Sequence, residues 1–207
     1  MKNKKKLIFK IIFIIILIVL FIILGLCIKN IYNSLNKKTE VKTLSEIKNY
    51  DYIVNENDPP YFGEVFKKLK KCLEQDEIDE EEYAKLVSEL FVIDFYSLNY
   101  SLSKSDIGGL QFVISDNRDS FTNKAKDTIY NYVESNIYGK RKQELPNVKE
   151  VEIISIKKSE YEGELYQDDE AYYVDLNISY EKDLEYPTEV SIVLIHNNNK
   201  LEIVKVD

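Results

Sequence analysis

The pattern of apolar and polar positions changes character three times along the chain. From Leu7 to Ile28 it is continuous, LIFKIIFIIILIVLFIILGLCI, interrupted only by Lys10. As a helix this run would be roughly 33 Å long, enough to cross a hydrocarbon core of about 30 Å. It has no polar face, so the pattern predicts a transmembrane helix over 7–28, with Lys10 near its end snorkelling to the headgroups. The run is longer than the apolar part of a signal peptide, and Leu26 stands where a lipoprotein cleavage site before Cys27 would need a small residue. An uncleaved anchor is therefore expected, behind a short basic tail at 1–6. Residues 29–57 show little periodicity and read as a stalk, with a short extended piece at 50–54.

From Asp58 onward the period is helical. Asp58-Pro59-Pro60 reads as a helix start, and Phe62, Val65, Phe66, Leu69, Cys72 and Leu73 share one face. Asp79 with Glu82 has the form of a capping box opening a second helix, whose stripe is Tyr83, Leu86, Val87, Leu90, Phe91 and Leu98. SKSDIGG (103–109) breaks the pattern, and LQFV (110–113) reads as a short strand. A third helix is predicted from 115–119, along Phe121, Ala125, Ile129, Tyr132, Val133 and Ile137, to Gly139.

After Val148 the period becomes two, with strands expected at 148–158, 171–180, 187–195 and 200–206, and turns at QDDE and HNNNK. Tyr172, Val174, Leu176, Ile178 and Tyr180 alternate with polar neighbours, as in a sheet with one wet face. The expected class is α+β: three helices packed on a curved antiparallel four-stranded sheet, forming a domain over 58–207.

Charge sharpens the picture. The net charge of −8 is unevenly spread: residues 1–48 hold ten lysines and two glutamates (+8), and the remainder holds 18 basic and 34 acidic residues (−16). So acidic a domain repels nucleic acid and anionic lipid, and neither is expected as its ligand. Lysines flank the span on both sides, but the cluster before it is tighter. This places the N-terminus in the cytoplasm and the domain outside. One domain cysteine and one histidine offer no metal-ligand cluster or intramolecular disulfide. No cofactor is expected, and the partners expected are the membrane, other proteins and, weakly, a second copy.

The order helix, helix, short strand, helix and long successive strands resembles the cystatin-like cone of the nuclear transport factor 2-like superfamily. A short basic tail and one membrane span ahead of such a domain resembles the bitopic assembly components of bacterial conjugation and type IV secretion. The resemblance lies in element order, with no diagnostic motif, and implies an extracytoplasmic assembly or protein-interaction module.

Candidate chemistry is sparse. Asp94 falls in the middle of the second helix's apolar stripe, where a carboxylate needs donors, a proton or water. It either accepts from the N–H groups of the following Gly-rich loop, a tyrosine or Arg118, or lines a small-molecule pocket in the cone with Tyr100 and Arg118. His196, the sole histidine, lacks any orienting acid or nucleophile that the sequence can place.

Overall fold

The computed structural model describes residues 13, 17–29 and 42–207. The chain divides into two compact units, 1–42 and 43–207. In the first, residues 17–29 are helical with exposed apolar side chains. Among the described residues no helix is long and apolar enough to cross a membrane. Most of the first half of the apolar run, and the basic tail at 1–6, lie outside the described residues.

The second unit is α+β. It begins with a hairpin, β1 (Thr43–Ile47) and β2 (Tyr52–Asn55). The helices α1 (Pro60–Leu73), α2 (Glu80–Tyr96) and α3 (Arg118–Asp127) follow. Four strands complete it: β3 (Val148–Glu162), β4 (Gln167–Tyr180), β5 (Glu189–Asn197) and β6 (Lys200–Val206). They form an antiparallel meander in the order β3-β4-β5-β6. The stalk expected over 29–57 therefore ends early. Tyr52 is fully buried, and Ile47, Tyr50 and Val54 join the same core, so the hairpin belongs to the domain.

The first two helices form where their stripes predict, except that α2 ends at Tyr96, and Leu98, though buried, falls in the 3₁₀ turn that follows. All six residues of the first stripe are buried on α1. Its start differs: Pro59 is the cap residue, and Asp58 turns back to accept the Asn55 N–H at 2.7 Å. α2 is capped by Asp79, whose Oδ1 accepts the Glu82 N–H at 3.0 Å. It is buried on most sides, between α1 and strands β3 and β4.

The third helix is shorter than its stripe suggests. It stops at Asp127, because Tyr130 is drawn into the core, where its hydroxyl donates to the Phe95 carbonyl at 2.7 Å. Tyr132 and Ile137, expected on the buried face, are exposed. LQFV forms a 3₁₀ turn rather than a strand, joined to β6 by one parallel bridge from Val113 to Ile203. QDDE lies inside β4, where the Asp168 carboxylate accepts the Glu170 N–H at a register shift against Ser159 and Tyr161 of β3. The turn falls instead between Glu162 and Gln167, so β3 and β4 continue as a two-stranded arm beyond Tyr172 and Leu194, the last pair of β4 with β5.

One face of the sheet meets the helices through Tyr172, Val174, Leu176, Ile178, Val190, Ile192 and Leu194. The other carries a smaller cluster of Ala171, Val193 and Ile195, joined by Ile114, with Tyr161, Tyr166 and Tyr173 around it.

Candidate functional site

Asp94 sits near the C-terminal end of α2 and is partly buried. Its Oδ2 accepts the Gly109 N–H at 2.6 Å. The neighbouring Gly108 N–H donates to the Tyr130 hydroxyl at 3.1 Å, so two successive amides pin the loop to α2 and its surroundings. Glycine is required at both positions. A Cβ on Gly108 would stand 2.2 Å from the Asp94 carbonyl oxygen, and one on Gly109, at φ 76°, would stand 2.7 Å from the Phe91 ring. Burial pushes the Asp94 carboxyl up to about 7 against the pull of the Gly109 N–H, and the nearby Asp58 and Asp106 add to the rise.

Of the other two residues of the expected pocket, Arg118 is engaged elsewhere through its side chain and Tyr100 is held in a 3₁₀ turn through its backbone. The Arg118 Nε donates to the Val113 carbonyl at 2.8 Å, and the Tyr100 N–H donates to Ser97 O. Among the described residues neither bonds Asp94. Of the alternatives open in the sequence, the structure takes the Gly-rich loop as the acid's partner.

His196, in contrast, has an acid that the sequence did not reveal. Asp168 Oδ2 lies 2.8 Å from its Nδ1 and accepts its backbone N–H at 2.7 Å. The Asp168 carboxyl is raised by burial, but the N–H groups of His196 and Glu170 and the imidazole outweigh this and hold it below the usual value. The two residues are 28 apart in sequence and meet only where β4 runs on past its last pair with β5. On the other side of the ring, Nε2 faces Glu80 Oε2 at 3.6 Å. Glu80 also accepts from the Tyr172 hydroxyl at 3.3 Å and lies 3.7 Å from the Lys158 ammonium. A His-acid pair acts as a general base only when its free nitrogen reaches a substrate or nucleophile. Here a carboxylate occupies that side, and the cluster works as a clasp between the start of α2 and the sheet.

The outer face of the sheet carries an open groove. A groove of about 570 Å³ runs over it, lined by Tyr161, Tyr173, Asp175, Ser191, Val193 and Lys205. Its floor is set by a polar ladder across three strands, in which Ser155 and Ser191 donate to the two Asp175 oxygens at 2.7 and 2.6 Å. Those bonds keep the Asp175 carboxyl below its usual value, so it stays ionised. Tyr173 is fixed by donating to the Glu160 carbonyl at 3.0 Å. A second groove, of about 290 Å³, lies between α3 and β6 beside Phe121 and Lys124. Asp94 lines neither.

Comparison with protein-family models, curated proteins and solved structures finds no match.

Proposed function

We propose that this chain is a single-pass membrane protein, anchored through 7–28, whose α+β domain lies outside the cytoplasm and docks a partner protein within a bacterial envelope or transfer complex. The observation that carries this reading is the groove on the uncovered face of the sheet. Its tyrosines, Tyr161 and Tyr173, are amphipathic, the kind of side chain that interfaces favour, and Tyr173 is already fixed by its bond to Glu160. The domain's excess of acids selects a partner whose contacting segment is basic. The cystatin-like cone is part of the same proposal and rests on element order. The alternative, a small-molecule pocket around Asp94, is weakened because that carboxylate is spent on Gly109.

A photo-crosslinking residue placed at Tyr173 in the full chain, in intact cells, is expected to trap one basic partner. The same residue at the exposed Asp127 should not. Identical adducts from both positions would sink the docking role. A protease added to protoplasts should digest the domain, and full protection beside a digested external control would reverse the topology.

A further inference from the structure

Large exposed apolar side chains are scattered singly over most of the domain, at Leu44, Ile78, Ile154 and Leu165 among others. Isolated cases of this kind are ordinary. The loop after α3 differs. Tyr132 is 79 % exposed, Ile137 66 % and Tyr138 81 %, and Leu102, 37 % exposed, adjoins them because its carbonyl accepts the Asn136 N–H at 2.7 Å. The loop continues as Lys140-Arg141-Lys142, the only run of three cations in residues 43–207. Lys140 and Lys142 are exposed, while Glu134 is the single acid between 128 and 143.

The loop is tied down. Val133 and Leu145 root it in the core. Gln143 brackets its start, donating to the Tyr132 carbonyl at 2.8 Å and accepting the Glu134 N–H at 2.9 Å. The Arg141 guanidinium turns inward to the carbonyls of Ser101 and Asn99, at 2.8 and 2.6 Å. The exposed rings are thus presented on an ordered frame, and little ordering cost remains for binding.

We propose that residues 132–142 form a lipid-contacting element that sets Tyr132, Ile137 and Tyr138 into the headgroup layer of a bilayer, with Lys140 and Lys142 on lipid phosphates. Tyrosine and lysine are the residues that settle at that depth, the ring by its amphipathic character and the ammonium by its charge. The domain's net negative charge opposes approach to an anionic surface. At physiological ionic strength, however, charges beyond about 8 Å are screened, so the contacting residues decide the sign locally. The loop's affinity for lipid stands on its own side chains, whereas its proximity to a bilayer in the cell rests on the anchored reading above.

The test uses the fragment 43–207, which holds the whole of the core, in flotation with phosphatidylcholine vesicles with and without one quarter phosphatidylglycerol. The fragment is expected to float with the mixed vesicles. Tyr132→Ser/Ile137→Ser/Tyr138→Ser should weaken binding at least about tenfold, the equivalent of about 1.4 kcal/mol, with an unchanged melting temperature because these side chains are exposed. Lys140→Glu/Lys142→Glu should lose the preference for phosphatidylglycerol. No flotation by the parent fragment, or equal flotation by the triple serine variant, would overturn the proposal. So would a dimer in sedimentation that the triple variant abolishes, since the patch would then serve a second copy. Carbonate extraction of the full chain reports on the anchor separately: a fragment that floats beside a full chain that extracts would leave the loop standing and remove the anchor.

Discussion

The buried hydroxyls of Tyr52 and Tyr83 lie 2.9 Å apart and close a ring with the peptide of Leu201. The direction of each bond is fixed by chemistry. The Leu201 N–H can only donate, here to Tyr83, and its carbonyl can only accept, here from Tyr52, so Tyr83 donates to Tyr52. Three elements, β2, α2 and β6, are joined at this point. Cutting the chain at 58 would remove Tyr52 and leave the other two with unmet groups in the core. The fragment 58–207 is therefore expected to melt well below 43–207, and Tyr52→Phe to cost about 1–3 kcal/mol in urea unfolding. Equal melting temperatures for the two fragments would show that the hairpin is dispensable.

Asp94 and Gly109 give a second test. Asp94→Ala leaves the Gly109 N–H without its acceptor and should cost about 1–3 kcal/mol. Asp94→Asn keeps an acceptor oxygen and removes the charge. In the folded protein this carboxyl is raised, chiefly by burial, to about 7, above its unfolded value, so the native state binds the extra proton between the two. Its contribution to stability is complete below about pH 4 and is lost as pH rises through 7. The parent should lose more stability than Asp94→Asn between pH 5 and 8. Parallel pH profiles from urea midpoints would show that Asp94 titrates as an ordinary surface acid.

Some of this was legible in the sequence, and some was not. The stripes of α1 and α2, the Asp79 cap and the alternation through Tyr172–Tyr180 are local periodicities, and each survives in the fold. The short extended piece read at 50–54 is realised as β2, but the hairpin is short and half-exposed, so nothing in the sequence marked Tyr52 as a core residue. Helix α3 ends early because Tyr130 finds better partners in Phe95 and Gly108 than its own helix could offer, a tertiary gain that no window of sequence records. Among candidate residues, the Gly-rich loop could be named as a partner for Asp94 because it follows closely on the chain. Asp168 and Glu80 could not be assigned to His196, since only strand register and the placement of α2 bring them together.

That clasp can be probed at Asp168. Its carboxylate accepts from the N–H groups of both His196 and Glu170, so Asp168→Ala is expected to cost about 1–3 kcal/mol at pH 7. Asp168→Asn, retaining one acceptor oxygen, should cost less. The folded carboxyl lies below its ordinary value, so its stabilisation is present above about pH 4 and fades as pH falls through the folded value. Parent and alanine variant should therefore converge in acid. An alanine variant as stable as the parent at pH 7 would mean that the arm is held against β5 by packing alone.

Arg141 decides whether the exposed loop after α3 is held in shape or merely rests there. One guanidinium serves three carbonyls, those of Asn99, Ser101 and Glu134, from two separate segments. Lysine is a point charge on a flexible stem and cannot reproduce this fork. Arg141→Ala is expected to destabilise the domain by about 1–3 kcal/mol, with Arg141→Lys recovering only part of that loss. The local effect should exceed the global one, since the loop's own frame is what fails: trypsin should cut at Lys140 and Lys142 in the alanine variant long before it cuts elsewhere. The same variant keeps Tyr132, Ile137, Tyr138 and both flanking lysines, yet must order the loop at the moment of binding, so it should float less with lipid vesicles than the parent. A variant that loses global stability without faster cleavage at Lys140 or Lys142 would place the work of this guanidinium in joining the two segments, with the loop's shape fixed by Asn136 and Gln143 instead.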